Sequence, residues 1–290
     1  MTQEDGYVLG RAIEDSDRLD AQHLLWKLHT GFELHPDIPV MENMRLRSLR
    51  LEQRKPLPLL YISLRVVLTS LSFYSIWIFD LATQLPTVQL YGFDISDSQY
   101  PSKELWPRNV TLGLLDSLVD PPSSLYGQYD VVHLRMWASI LRGNDISLLS
   151  RHVKHLLKPG GYLQWEDADL VHQYIKGAKA EEFERNINKI FKKVNLDYSW
   201  VSNLPSHLQQ NFNILKSEIG RFQPDLVQLC TNTYLMALGE ILHGIKRSLA
   251  RDMLFSITEQ EVALDRLSHT KSCIYNWSPV VILAQKKMQN

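Results

Sequence analysis

An apolar run that closes on a carboxylate, Leu90-Tyr91-Gly92-Phe93-Asp94, is the part of this chain that most restricts its fold. In a nucleotide-type α/β fold such a strand holds a ribose. Its terminal acid accepts hydrogen bonds from two sugar hydroxyls, while a glycine-rich turn about 20 residues upstream admits the rest of the ligand. About 20 positions before Asp94 the chain reads Leu-Thr-Ser-Leu-Ser-Phe-Tyr-Ser, and no glycine occurs between Gly31 and Gly92. The downstream half of a ligand site is present without its upstream half. An Asp after a strand also serves as a turn or helix cap, so the carboxylate alone leaves both roles open.

The bulk composition narrows the class. With 290 residues and 44% hydrophobic content, the chain can bury the core of one large α/β domain with a helical lid. A net charge of −1 without a basic stripe argues against a nucleic-acid partner. Cys230 and Cys273 lie far apart, and a polar N-terminus gives no secretory signal, so both read as buried thiols of a cytoplasmic or nuclear protein. No Cys/His cluster has metal-ligand spacing, and no metal is expected. Residues 57–79 are almost continuously apolar and long enough to span a bilayer. Arg65 near the middle of that run, and flanks that read as one domain, make a transmembrane helix the lesser reading. The basic run over 41–55, with Arg45, Arg47, Arg50, Arg54 and Lys55, lacks interleaved aromatic residues and reads as a solvated loop.

Periodicity predicts helices over 17–30, 76–83, 146–157, 181–194, 226–249 and 259–272. Strands are expected over 88–93, 110–115, 129–134, 162–165, 214–222 and 280–285, the last entered through Pro279. Lys158-Pro159-Gly160-Gly161 supplies a helix stop and a turn. Strands alternating with helices imply a doubly wound, mostly parallel sheet with right-handed crossovers.

Five stretches together, Arg18-Leu19-Asp20-Ala21-Gln22-His23, 90–96, 109–116, 129–136 and 157–166, carry a family pattern. The chain resembles the class I S-adenosylmethionine-dependent methyltransferases, and more narrowly the fungal LaeA-like methyltransferases associated with secondary metabolism. The resemblance spans nearly everything except about residues 45–75. It implies a Rossmann-like sheet, S-adenosyl-L-methionine as cofactor and a small-molecule acceptor methylated on oxygen or nitrogen. By resemblance Asp94 grips the ribose hydroxyls, Ile95 also contacts the cofactor, and Asp116 accepts from the adenine amino group, with Leu115 and Ser117 framing the ring. Arg135 lies in or beside the cofactor cleft, and Trp165 and Tyr7 border the substrate pocket. His133, Glu166 and His172 are candidate bases for an acceptor that must lose a proton.

The family also carries an Asp/Glu-x-Gly-x-Gly-x-Gly turn after its first strand, where any Cβ would block the cofactor's methionine end. Residues 41–75 hold no such turn and shift abruptly from basic to apolar. That segment is expected to be foreign to the fold, as a retained intron or frame slip would make it. The expected organisation is a lid helix in 1–40, the atypical segment in 41–75, an α/β core in 76–175, a helical insert in 176–211 and completing elements in 212–290. A regulatory or scaffold protein of the same fold, without turnover, is the alternative. A nicotinamide-dependent dehydrogenase shares the acid-ended strand, but Tyr162 and Tyr174 lack a Lys four residues on.

Overall fold

The computed structural model describes residues 13–39, 65–69, 74–98, 100–141, 143–248, 253–270 and 272–288. Its strands are β1 (Arg65–Thr69), β2 (Gln89–Asp94), β3 (Val110–Leu114), β4 (Tyr129–Arg135), β5 (Leu157–Lys176), β6 (Phe212–Ile219) and β7 (Ile274–Lys286). The helices are α1 (Ile13–Thr30), α2 (Tyr74–Gln84), α3 (Ser147–Leu156), α4 (Ala178–Lys193), α5 (Leu204–Leu208), α6 (Val227–Ser248) and α7 (Leu254–Ser268). One seven-stranded sheet runs in the order β3-β2-β1-β4-β5-β7-β6. Strands β1 to β5 pair in parallel, and β7 is antiparallel to both β5 and β6. This is a doubly wound, Rossmann-like sheet with one antiparallel strand next to its edge. The chain winds outward from β1 in both directions, so β1 and β4 flank the switch point where such sheets take ligands at their carboxyl edge.

Strands β4 and β7 are buried along most of their length, while β6 at the edge is largely exposed. β4 shows a nearly unbroken buried run, as a central parallel strand should, whereas β2 alternates. On one face Trp77, Ile78, Leu81 and Ala82 of α2 pack on Val88, Leu90, Val110, Leu112 and Val131. The larger core joins Leu25 and Trp26 of α1, Leu149, Val153 and Leu156 of α3, and Phe183 and Ile187 of α4 to β4, β5 and β7. Helix α1 ends where Gly31 turns to φ +74° and donates its N–H to the Lys27 carbonyl. Cys230 and Cys273 are free and buried, as expected.

Several expectations are corrected. The central strand β1 comes from inside the stretch read as foreign, so the α/β core begins at Arg65 and not at 76. Arg-Val-Val-Leu-Thr is β-branched and apolar, which suits the slot between β2 and β4. The same strand overturns a transmembrane helix over 57–79. Among the described residues, no helix is long and apolar enough to cross a membrane. The basic run over 41–55 lies outside the described residues.

The strand expected over 162–165 extends from Leu157 to Lys176 because β7 keeps pairing with it, with a break between Asp169 and Tyr174. Pro159-Gly160-Gly161 falls inside it as a register shift against β4. Gly161 is required by close approach, since a Cβ there would sit 3.0 Å from the Asp130 carbonyl oxygen. Pro279 lies within β7 and not before it, just past the end of the β6 ladder, where no strand asks for its missing N–H. Strand β6 stops at Ile219, and Phe222 turns away to pack edge-on against Trp277, ring centroids 4.6 Å apart.

Candidate functional site

Asp94 is the last residue of β2 and Asp116 follows the end of β3; the two strands are parallel neighbours, paired up to Asp94 and Leu114. The two carboxylates therefore emerge side by side at the carboxyl edge. Each folds back on its own loop: Asp94 Oδ1 accepts from Ser96 N at 2.9 Å and Asp116 Oδ1 from Leu118 N at 2.8 Å. The Leu115 N–H donates to the Asp94 carbonyl at 2.8 Å, tying the two strand exits together. Asp94 is nearly buried, Asp116 half-buried and Ser117 buried, while Ile95 presents an exposed apolar surface beside them. This arrangement fits the adenosine portion of a nucleoside cofactor: acceptors for ribose and adenine, with an apolar wall.

The sequence lacks the glycines that the methionine portion asks for. With β1 closing at Thr69, the residues that follow the strand are Ser70-Leu71-Ser72-Phe73-Tyr74-Ser75. Laid from the strand end, the acid slot of the glycine pattern falls on Thr69 and its three glycine slots on Leu71, Phe73 and Ser75. Every one of those side chains carries the Cβ that the pattern excludes.

Beyond the switch point lies a sealed polar hub. Register places Arg135 opposite Glu166 and His133 opposite Gln164 on β4 and β5. Arg135 Nε donates to Glu166 Oε2 at 2.5 Å, and His133 Nε2 lies 3.2 Å from the same oxygen. The guanidinium carbon stands 5.7 Å from the Trp26 ring and 6.0 Å from Trp77, and the Trp77 ring stacks on His133 at 4.5 Å. Burial opposes the Glu166 charge, but Arg135 and His133 outweigh it and hold its carboxyl at about 2. Burial keeps His133 neutral by lowering its pKa. Gln164 closes the hub: its Nε2 donates to Glu166 Oε1 at 2.7 Å and to the Glu33 carbonyl at 3.1 Å, and its Oε1 accepts from His35 N at 2.8 Å.

His133, Arg135 and Glu166 are thus brought together, but all three are buried and engaged with one another. Trp165 is also in the core, donating to Asp167 Oδ2 at 2.9 Å and packing edge-on against Trp200. His172 is different. Its ring is mostly exposed and its Nδ1 lies 2.8 Å from Asp169 Oδ2. Tyr7 lies outside the described residues.

Next to the hub, His23, Glu33 and Asp80 bring one ligand-type atom each within 4.8 Å of one another. Arg135 Nη1 approaches His23 Nδ1 at 3.3 Å. A guanidinium has only donors, so Nδ1 accepts and the ring proton sits on Nε2, the atom 3.7 Å from both Glu33 and Asp80. Burial and Arg135 keep that ring neutral, lowering its pKa to about 4. The Lys27 ammonium already pairs with Asp80 and stands 3.5 Å from Glu33 Oε1. A cluster that offers an N–H and holds its own cation does not suit a metal ion.

Sequence reasoning missed Glu33, Asp80, Lys27 and Gln164. The available signal was a polar residue on a buried strand, Gln164 between Leu163 and Trp165.

Burial pushes the Glu33 carboxyl up to about 7; Arg135 partly offsets this, and the neighbouring Asp80 carboxylate adds to the rise. Its folded pKa lies above the ordinary 4.5. The native protein keeps a proton that the unfolded chain releases, so stability falls as pH rises from 4.5 to about 7. Glu33→Gln removes this loss. Relative to wild type, the variant is expected to gain about 2 kcal/mol between pH 5 and pH 8 in urea unfolding. A difference between the two proteins that stays constant with pH contradicts this reading.

No family model matches the chain. Among curated proteins it is 33% identical over 126 residues to methyltransferase grgD of Penicillium sp, covering 41% of this chain and 43% of the relative. It is 30% identical over 172 residues to N-methyltransferase tcpN of Claviceps purpurea, covering 58% of this chain and 53% of that protein. The chain thus spans about half the length of the curated relatives it matches. Among solved structures, phosphoethanolamine N-methyltransferase 2 of Haemonchus contortus superposes with a TM-score of 0.46 at 14% identity, covering 94% of this chain and 58% of the other. That structure holds phosphomonomethylethanolamine and S-adenosylhomocysteine; a likeness this loose carries no argument about ligands here.

Proposed function

We propose that this chain is an S-adenosylmethionine-dependent methyltransferase of the LaeA-like kind, acting on oxygen or nitrogen of a small molecule in fungal secondary metabolism. The observation that carries this reading is the pair Asp94 and Asp116 at neighbouring strand ends of a class I sheet. The fungal methyltransferase relatives support it, and the N-methyltransferases among them, tcpN included, favour nitrogen as the acceptor atom.

A second reading is favoured by one specific feature. Leu71, Phe73 and Ser75 stand in the glycine slots, which suits a methyltransferase-like binding protein that holds the adenosine end and turns over poorly or not at all.

Titration calorimetry with adenosine and with S-adenosylhomocysteine tests the binding on which both readings rest. Both ligands are expected to bind wild type with similar affinity, because only the shared nucleoside is gripped. Asp94→Asn removes a charged acceptor and is expected to weaken both by about 30-fold, on the order of 2 kcal/mol. Folded wild type that binds neither, or binding indifferent to Asp94→Asn, overturns the reading. Methyl transfer to an acceptor then separates enzyme from binding protein.

A further inference from the structure

We propose that the outer edge of β6 is a docking surface for a second copy of this chain, paired antiparallel about a two-fold axis at Ser217. β6 is the terminal strand of the sheet, bonded to β7 on one side and to no other described strand on the other. A terminal strand exposes a row of backbone N–H and C=O groups that template further pairing. Here Leu215-Lys216-Ser217-Glu218-Ile219 are all exposed, Leu215 at 44% and Ile219 at 55%.

The order of those five residues selects the occupant. Antiparallel pairing of identical strands sets residues opposite one another when their numbers have a constant sum. With Ser217 opposite itself, Lys216 faces Glu218 of the other copy, twice, and Leu215 faces Ile219, twice. Opposite charges and apolar pairs directly across an antiparallel ladder stabilise it. A two-fold contact needs just such a self-complementary patch. The opposite sheet edge offers no comparison, since β3 reads Val-Thr-Leu-Gly-Leu and carries no charge to set the register.

Two features shape the contact without blocking it. The ladder with β7 shifts between Ile214 and Lys216, but Lys216 to Ile219 run in regular register with Leu283 to Val280. The bulge falls on Leu215, which has no β7 partner, so the regular ribbon centres on the Lys216–Glu218 pairs and ends at the Leu215–Ile219 contacts. Lys216 also lies 3.6 Å from Asp37, both about half exposed. A screened surface pair of that kind contributes little and can be exchanged for Glu218 of the second copy.

Sedimentation of the full chain over a range of concentrations tests the proposal, with the 33.6 kDa monomer mass as reference. The mass is expected to double with rising concentration. Lys216→Glu or Glu218→Lys alone sets like charges opposite one another and is expected to weaken the dimer at least tenfold. The double reversal, Lys216→Glu with Glu218→Lys, restores opposite pairing and recovers the dimer. Ser217→Cys, a near-isosteric change that spares the fold, is expected to yield a disulfide-linked dimer on mild oxidation. A monomer at every concentration together with no Ser217→Cys cross-link overturns the proposal. So does a dimer that neither single reversal weakens.

Discussion

Replacing Thr69, Leu71, Phe73 and Ser75 together by Asp, Gly, Gly and Gly is expected to tighten S-adenosylhomocysteine binding by about 100-fold, close to 2.7 kcal/mol. Adenosine affinity should change little. The reason lies in what each slot does. A glycine lets the backbone approach the amino-acid end of the ligand, and every Cβ in its place fills that space. Hydrogen bonds to charged groups are worth about 1.5–3 kcal/mol each, so regaining one or two of them accounts for the change. The nucleoside end, which we propose rests on Asp94 and Asp116, is untouched by the replacement. Parallel calorimetric titrations of wild type and variant with the two ligands check this. Equal gains for adenosine and S-adenosylhomocysteine would show that the four residues act on general stability and not on ligand access.

Glu166→Ala is expected to cost about 3–5 kcal/mol of stability, because it leaves the Arg135 guanidinium buried without its counter-charge. Burial keeps the nearby Glu33 carboxyl largely protonated below about pH 7, so it replaces the lost charge only in part. Trp26 and Trp77 face the guanidinium as rings, and His23 Nδ1 accepts from only one nitrogen. Removing both charges at once should be much milder. Arg135→Met with Glu166→Leu is expected to be more stable than Glu166→Ala alone, since replacing a buried pair by apolar groups of similar volume is often neutral. Urea denaturation of the three proteins decides. A Glu166→Ala protein within about 1 kcal/mol of wild type would mean that water or a rearranged side chain reaches Arg135.

The hub has a consequence for function as well. Arg135, Glu166 and His133 hold α1, α2, β4 and β5 against one another at the carboxyl edge, and Gln164 adds the 33–35 turn. All three are buried and hold these elements in place without reaching solvent. His172, on its exposed bulge beside Asp169, is the one sequence-nominated base whose ring meets solvent.

Much of this architecture was legible in the sequence. The acid-ended strand at 94, the Tyr-Asp-Val-Val-His strand and the helix ahead of Lys-Pro-Gly-Gly mark local rules that tertiary context did not override. The first strand was not legible, because Arg65–Thr69 sits within a longer apolar run in which no period separates strand from helix. Strand β5 was read too short because its outer half, from Ala168 on, is held by pairing with β7, a long-range contact that leaves no local mark. Pro279 was read as an entry point for the same reason: only the end of the β6 ladder shows why a proline is tolerated there. In the site, Asp94 and Asp116 could be placed side by side from strand order alone. The burial of Arg135 could not, since a strand-end arginine looks the same in sequence whether it faces a cleft or an aromatic box.

A crystal of the protein soaked with S-adenosylhomocysteine examines the nucleoside grip directly. Electron density should show the ribose hydroxyls on Asp94 and the adenine beside Asp116, with the amino-acid tail poorly held. A nucleoside bound anywhere else, or with neither carboxylate within hydrogen-bonding reach, contradicts the assignment.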